Sequence, residues 1–186
     1  MKRLFDIICS FFGLILLSPV LILIAILIKA TSKGSVIFKQ LRVSQCNTDF
    51  HIYKFKTMRE GSEKLGLLTI GDDDARITKT GYYLRKHKLD ELPQLFNVLI
   101  GDMSFVGPRP ELRHYVNFYN AKQLQVLNYK PGITSLASLE FINECELLAQ
   151  HKDPEAYFIN EIIQKKTTQF RVSQTKKLFK RLENYL

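Results

Sequence analysis

Two adjacent acids, Asp90-Glu91, stand just ahead of Pro93 and of Leu92, Leu95, Phe96 and Leu99, which recur at helical spacing. A helix start presents free N–H groups and partial positive charge, which suits a phosphate. Two carboxylates there could hold Mg2+, a hard ion that takes carboxylate and phosphate oxygens. One of them could instead attack phosphorus and form an acyl phosphate. Ordinary helix capping calls for the same residue types. Arg109 sits between Pro108 and Pro110. Both prolines restrict the backbone, so the guanidinium is presented from a stiff mount suited to bidentate phosphate binding or to a solvated surface turn. Lys54 and Lys56 alternate with Tyr53 and Phe55, which puts both lysines on one face of a strand. That face could meet a diphosphate or simply water.

Other polar clusters carry less. Asp72-Asp73-Asp74 reads as a solvated loop, because three adjacent acids repel and no fourth ligand is in view. His51, His87, His114 and His151 show no metal spacing and no partnering Ser or Cys. No Walker A loop or GxGxxG is present. Cys9, Cys46 and Cys145 are scattered and odd in number, which argues for reduced thiols and against a zinc site. Arg42, Arg76 and Arg85 are further cations without distinguishing context.

The elements that must position these residues follow from local pattern. Ser35–Phe38 and Phe50–Phe55 read as two strands that can pair as a hairpin. Gly61 to Asp74 is a glycine-punctuated loop, and Thr80 to Lys88 a short basic helix. Leu89 to Ile100 is the clearest helical stretch, with Pro93 in the first turn and Gly101 after the end. Gly107 to Glu111 must be an extended turn. Helices are predicted over Glu111 to Leu127, Glu140 to Gln150 and Asp153 to Lys166. Phe170 to Leu186 reads as a basic amphipathic helix, able to lie on a membrane or pack on the body.

The chain has 186 residues, 46% of them hydrophobic, and a formal charge of +9, which points to an anionic partner. From Ile7 to Ile28 there is no charged residue, long enough for a membrane helix. The run is too long for a signal-peptide core and has no small-x-small cleavage site after it. Ser18-Pro19 falls near its middle, where proline removes a backbone donor and the serine hydroxyl can satisfy a freed carbonyl. Lys2 and Arg3 precede the run, and Lys29 and Lys33 follow it. Basic residues stay on the cytoplasmic side, so the pattern suits a helix that bends and returns to the face it entered; a kinked single-pass anchor meets it too.

These pieces together resemble the bacterial sugar transferases, the monotopic polyprenyl-phosphate phosphoglycosyl transferases. The likeness begins with Lys2-Arg-Leu-Phe-Asp6, Ser18-Pro19 and Gly34-Ser-Val-Ile-Phe-Lys-Gln40. It continues through Tyr53-Lys-Phe-Lys-Thr-Met58 and Asp74-Ala-Arg-Ile-Thr78, and is strongest from Leu89 to Pro110, with Pro131-Gly-Ile-Thr134 following in order. The resemblance implies an α+β, mostly helical fold. Its parts would be an N-terminal re-entrant membrane helix broken at Ser18-Pro19 (1-33), a small β-hairpin, and a membrane-associated helical catalytic domain (34-186). It implies a Mg2+-dependent enzyme at the bacterial inner (plasma) membrane, active on the cytoplasmic face. Such an enzyme transfers a phosphosugar from a UDP-sugar to polyprenyl (undecaprenyl) phosphate, the first membrane step of glycoconjugate assembly. Asp90 would attack the β-phosphate, release UMP and carry the phosphosugar. Glu91 would be catalytic and help bind Mg2+. Arg109, Lys54 and Lys56 would contact substrate phosphate. Membrane lipid is an expected partner and nucleic acid is not. Ser44, and Ser135-Leu-Ala-Ser138, depart from the commoner glycine and Gly-Trp-Ala-Gln, while Asp153-Pro-Glu155 marks a branch whose sugar choice is open. The short tail is expected to leave no room for the extra membrane domain of larger relatives. The alternative is a non-catalytic, membrane-anchored basic binding or scaffold protein, for which Asp90, Glu91 and Arg109 would be dispensable.

Overall fold

In the computed structural model, which describes residues 1–62, 66–70, 74–135, 141 and 143–169, a single helix α1 takes up Lys2–Thr31. It is long and apolar enough to cross a membrane. Contrary to the break expected at Ser18-Pro19, the helical backbone runs through Pro19 without interruption. The reason is local. Proline cannot donate to the carbonyl four residues back, here Ile15, and Ser18 Oγ donates to that carbonyl at 2.7 Å instead. Much of α1 is bare, including Phe12 (63% exposed), Leu16 (80%) and Ile22 (60%). Both of its ends nevertheless touch the rest of the chain. Near the start, Asp6 and Ser10 are buried; near the end, Ile24 and Ile28 pack with Phe55 and Leu84.

The predicted hairpin forms. Strand β1 (Ile37–Val43) pairs antiparallel with β2 (Asp49–Phe55), setting Phe38 opposite Lys54 and Gln40 opposite Ile52. Helix α2 (Lys79–Lys86) follows the loop and starts where Thr78 Oγ1 accepts from Gly81 N at 2.9 Å. The stretch from Leu89 splits into a 3-10 turn, Leu89–Glu91, and helix α3 (Gln94–Ile100), which Gly101 ends in the left-handed conformation at φ 104°.

Apolar spacing put Leu92, Leu95, Phe96 and Leu99 on one face, but the buried set on α3 is Gln94, Leu95, Asn97 and Val98, and Phe96 is 51% exposed. Polar Asn97 is inside because it completes β2. Its Oδ1 accepts from Tyr53 N at 3.0 Å and its Nδ2 donates to His51 O at 2.8 Å, so one side chain serves the strand edge as a neighbouring strand would.

A second sheet was not foreseen. Strand β3 (Ser104–Val106) pairs parallel with β4 (Gly132–Thr134). At its end Gly107 and Gly132 lie back to back: a Cβ on Gly132 would come within 2.1 Å of Gly107 N, which backbone cannot accommodate.

The single helix expected over Glu111 to Leu127 is three short pieces: α4 (Arg113–Val116), α5 (Ala121–Leu124) and a 3-10 turn, Gln125–Asn128. Asn120 forces the restart, its side chain accepting from Lys122 N and Gln123 N while Gln123 returns a bond to Asn120 N. Within the expected 140–150 helix, α6 covers Glu144–Ala149. Asp153 caps α7 (Pro154–Tyr157) by accepting from Ala156 N at 3.0 Å; a π turn, Phe158–Ile162, and α8 (Ile163–Gln169) continue it. Tyr115, Leu148, Phe158, Ile162 and Ile163 form the core beneath these helices. The amphipathic Phe170–Leu186 segment, Asp72, Asp73 and Leu136-Ala137-Ser138 lie outside the described residues.

Candidate active site

Three segments far apart in sequence converge on Glu91. Strand β2 brings Lys54, whose Nζ donates to Glu91 Oε1 at 3.1 Å. The Pro-Arg-Pro turn brings Arg109, whose Nη2 donates to the same oxygen at 2.6 Å. Glu91 Oε2 has only the 3.4 Å approach of Arg109 Nη1 among the described residues, so it keeps lone pairs for another cation. Asp90, next along the 3-10 turn, is 9% exposed, and its buried Oδ1 has no hydrogen-bond partner among the described residues.

The electrostatics follow from this packing. Burial pushes the Asp90 carboxyl up from its ordinary range, with the Lys54 charge opposing. Burial would raise Glu91 as well, but the charges of Lys54 and Arg109 and the hydrogen bonds they donate outweigh it and hold that carboxyl well below its usual range. Lys54 is lowered to about 8, chiefly by burial, with Glu91 working against the shift. Two neighbouring carboxyls are thus driven in opposite directions, one toward a proton and one away from it, a pattern that concentrates at sites of chemistry.

The turn carrying Arg109 is clamped at both ends. Gly107 N donates to Thr134 O and Gly132 N to Pro108 O, while at the far end Val43 N donates to Glu111 O at 2.9 Å. Arg42 reinforces that end, with Nη1 on Pro110 O at 3.2 Å and 3.6 Å from Glu111 Oε2, and with Nε and Nη2 both on Gln40 Oε1. Glu111 also meets Lys166 at 3.7 Å, and Lys166 pairs with Glu144 on α6. The sequence marks Arg42 only as a cation without distinguishing context and gives Glu111 no role in the site. The available signals were Gln40-x-Arg42 and an acid immediately after the Pro-Arg-Pro turn.

Lys54, Glu91 and Arg109 are therefore brought together, with Asp90 adjacent. Lys56 is not: its Nζ donates to Lys33 O at 2.7 Å, near the end of α1. Asp74 is bound by Arg76, which also grips Gly66 O and Leu68 O, so it organises its own loop. Ser18 and Pro19 act within α1. No cluster of three or more His, Cys, Asp or Glu side chains with metal-binding geometry occurs among the described residues.

Comparison with known proteins agrees with the motifs. A family model described as bacterial sugar transferase matches residues 1–180. A UDP-N-acetylgalactosamine-undecaprenyl-phosphate N-acetylgalactosaminephosphotransferase of Aeromonas hydrophila is 43% identical over 142 residues, 74% of this chain and 33% of the relative. A UDP-glucose:undecaprenyl-phosphate glucose-1-phosphate transferase of Klebsiella pneumoniae is 45% identical over 141 residues, 74% of this chain and 30% of the relative. The matched region thus spans about a third of the length of those two relatives. The uncharacterized sugar transferase EpsL of Bacillus subtilis (strain 168) is 44% identical over 140 residues, 75% of this chain and 68% of the relative. The chain belongs to the bacterial sugar transferase family.

Proposed function

We propose that this chain transfers a sugar 1-phosphate from a UDP-sugar to a polyprenyl phosphate such as undecaprenyl phosphate, through a phosphosugar carried on Asp90. The observation that carries this reading is the convergence of Lys54 and Arg109 on Glu91 beside Asp90, whose buried Oδ1 has no hydrogen-bond partner among the described residues. Phosphoryl transfer asks for charge neutralisation and in-line placement rather than acid–base work, and this site offers fixed cations and one desolvated nucleophile. The relatives' names, which specify UDP-sugars and undecaprenyl phosphate, support the same reaction.

In the first half-reaction Asp90 Oδ1 bonds to the β-phosphorus while the bond from phosphorus to the bridging oxygen breaks, and the electron pair leaves with UMP. Burial strips water from Asp90 and so favours attack. Arg109 and Lys54 bind the diphosphate oxygens. In the second half-reaction an oxygen of the polyprenyl phosphate attacks the same phosphorus, the aspartyl bond breaks, and polyprenyl diphosphate sugar leaves with the carboxylate restored. A Mg2+ ion fits the donor set, since Glu91 Oε2 is open and hard oxygens are what that ion takes. Glu91 would hold it, and when bound it supplies further charge neutralisation at the diphosphate.

We place residues 1–33 in the membrane and 34–186 on its cytoplasmic face. Two findings support a segment that enters and leaves on one side. A 30-residue helix is about 45 Å long if straight, against about 30 Å of hydrocarbon. Yet the two ends both contact the body: Lys2 donates to Val106 O, Arg3 to Val98 O and Leu99 O, and Thr31 meets Thr80. A single-pass helix would carry those ends to opposite sides.

The test is UMP release from UDP-glucose, UDP-galactose and UDP-N-acetylgalactosamine with purified protein, Mg2+ and undecaprenyl phosphate, with Asp90→Asn in parallel. Release with one donor that is lost in Asp90→Asn is the expected result. Full activity in Asp90→Asn would eliminate the covalent route, and silence of the native chain across the panel would favour a non-catalytic partner.

A further inference from the structure

Successive turns of the Leu89–Ile100 stretch meet β2, and two of the contacts have assigned partners. Asn97 bonds His51 and Tyr53, and Glu91 bonds Lys54, the next residue along the strand. Gln94 stands three residues from each, on the same helical face and in line between those two contacts, and four residues beyond Asp90. Its side chain is 1% exposed. Its Nε2 is buried without a hydrogen-bond partner among the described residues, as is Asp90 Oδ1. An unpaired buried donor costs free energy, and folds seldom keep one without a use. Methionine would fill the same volume with no polar atom to satisfy, so packing alone gives no reason for a carboxamide here.

We infer that Gln94 is a phosphoryl-contacting residue of the Asp90-Glu91 site, its carboxamide N–H donating to a non-bridging oxygen of the phosphorus that Asp90 attacks. This rests on Asp90 being the nucleophile, as proposed above. While the bond from Asp90 to phosphorus forms and the bond to the UMP oxygen breaks, negative charge is spread over the equatorial phosphoryl oxygens. A neutral donor fixed by burial stabilises that charge without setting a further cation against Lys54 and Arg109. The unpaired donor and the unpaired nucleophile oxygen are then two sides of one position, which the transferring phosphoryl group fills.

The experiment compares native protein, Asp90→Asn, Gln94→Met and Gln94→Glu in UMP release with UDP-glucose, UDP-galactose and UDP-N-acetylgalactosamine, together with thermal unfolding of each. Loss of one fixed donor of this kind lowers kcat by about 10²–10³-fold. Gln94→Met should show that loss with donor KM within about threefold of native and Tm unchanged or higher, because the variant sheds an unpaired polar atom. Gln94→Glu should be at least as slow, an ionised carboxylate having no proton to donate. Native activity in Gln94→Met, beside a silent Asp90→Asn, would overturn the inference and leave the nucleophile standing. A marked fall in Tm for both Gln94 variants would also overturn it, assigning the residue to packing. An inactive native chain would remove the parent reading and this one with it.

Discussion

Exchanging Lys54 for arginine should abolish the alkaline limb expected of the native activity profile. Lys54 donates to Glu91 at 3.1 Å with its side chain 16% exposed. Burial lowers its pKa from 10.5 to about 8; Glu91 opposes that shift, and Arg109 and Arg42 add to it. Such a group is roughly nine-tenths protonated at pH 7 and roughly one-tenth at pH 9. If its charge is needed to hold Glu91 and a donor phosphate, kcat/KM falls about tenfold per pH unit on the alkaline side. Stability moves the other way. The unfolded lysine keeps its proton up to 10.5, so between about 8 and 10.5 the unfolded state binds more protons and folding strengthens as pH rises, by about 3 kcal/mol across the window. As pH falls through about 8 that gain is lost. Arginine stays charged throughout, so Lys54→Arg should lose both the activity limb and the stability rise. Arginine is not a neutral exchange at a buried pair, and the absolute rate will drop; the midpoint of the profile carries the test. The assay is UMP release from about pH 6 to pH 10, with thermal unfolding over the same range. A native profile flat to pH 10, or a Lys54→Arg profile with the same midpoint, would refute the reasoning.

Two other changes probe the scaffold. Gly132→Ala drives a Cβ to within 2.1 Å of Gly107 N, so the β3–β4 pair must open and displace Arg109; we expect about 1–3 kcal/mol of lost stability and a fall of at least about tenfold in kcat/KM, read by unfolding and UMP release. Asn97→Ala leaves Tyr53 N–H and His51 C=O without their side-chain partner, which should cost about 1–3 kcal/mol and lower Tm by roughly 2–4 °C for each kcal/mol, with an unchanged melting curve as the contrary result.

Features set by a few neighbouring residues were legible in the sequence. Alternation drew the hairpin, helices were expected from Thr80 and from Asp153 close to where Lys79–Lys86 and Pro154–Tyr157 begin, and two prolines held Arg109 in an extended turn. Features set by distant partners were not. Apolar periodicity assigned α3 a face containing Phe96, because nothing local says that Asn97 will bond the edge of β2 forty-odd residues earlier. The helix over Glu111 to Leu127 failed since Asn120 and Gln123 form a capping box in the middle of an otherwise helical pattern. At the site, Asp90, Glu91, Arg109 and Lys54 were named from their types, while Lys56 was grouped with Lys54 by strand alternation alone and instead donates to Lys33 O. Glu111 and Gln94, and a role for Arg42 beyond that of one more cation, became visible only when β1, the Pro-Arg-Pro turn and α3 were placed in space.

The polar grip at the start of α1 bears on how the protein can be handled. Arg3 serves the last carbonyls of α3 at 2.5 Å and 2.8 Å, Lys2 serves Val106 O, and Asp6 accepts from Phe105 N, while Ile24 and Ile28 supply half of the cluster around Phe55 and Leu84. A water-soluble version made by cutting before Gly34 would therefore strip the helix cap from the element after Asp90-Glu91 and uncover an interior surface. The apolar segment thus serves as an internal beam, and any preparation of the protein has to carry it along, its bare face covered by detergent or lipid, for the remainder to keep its shape.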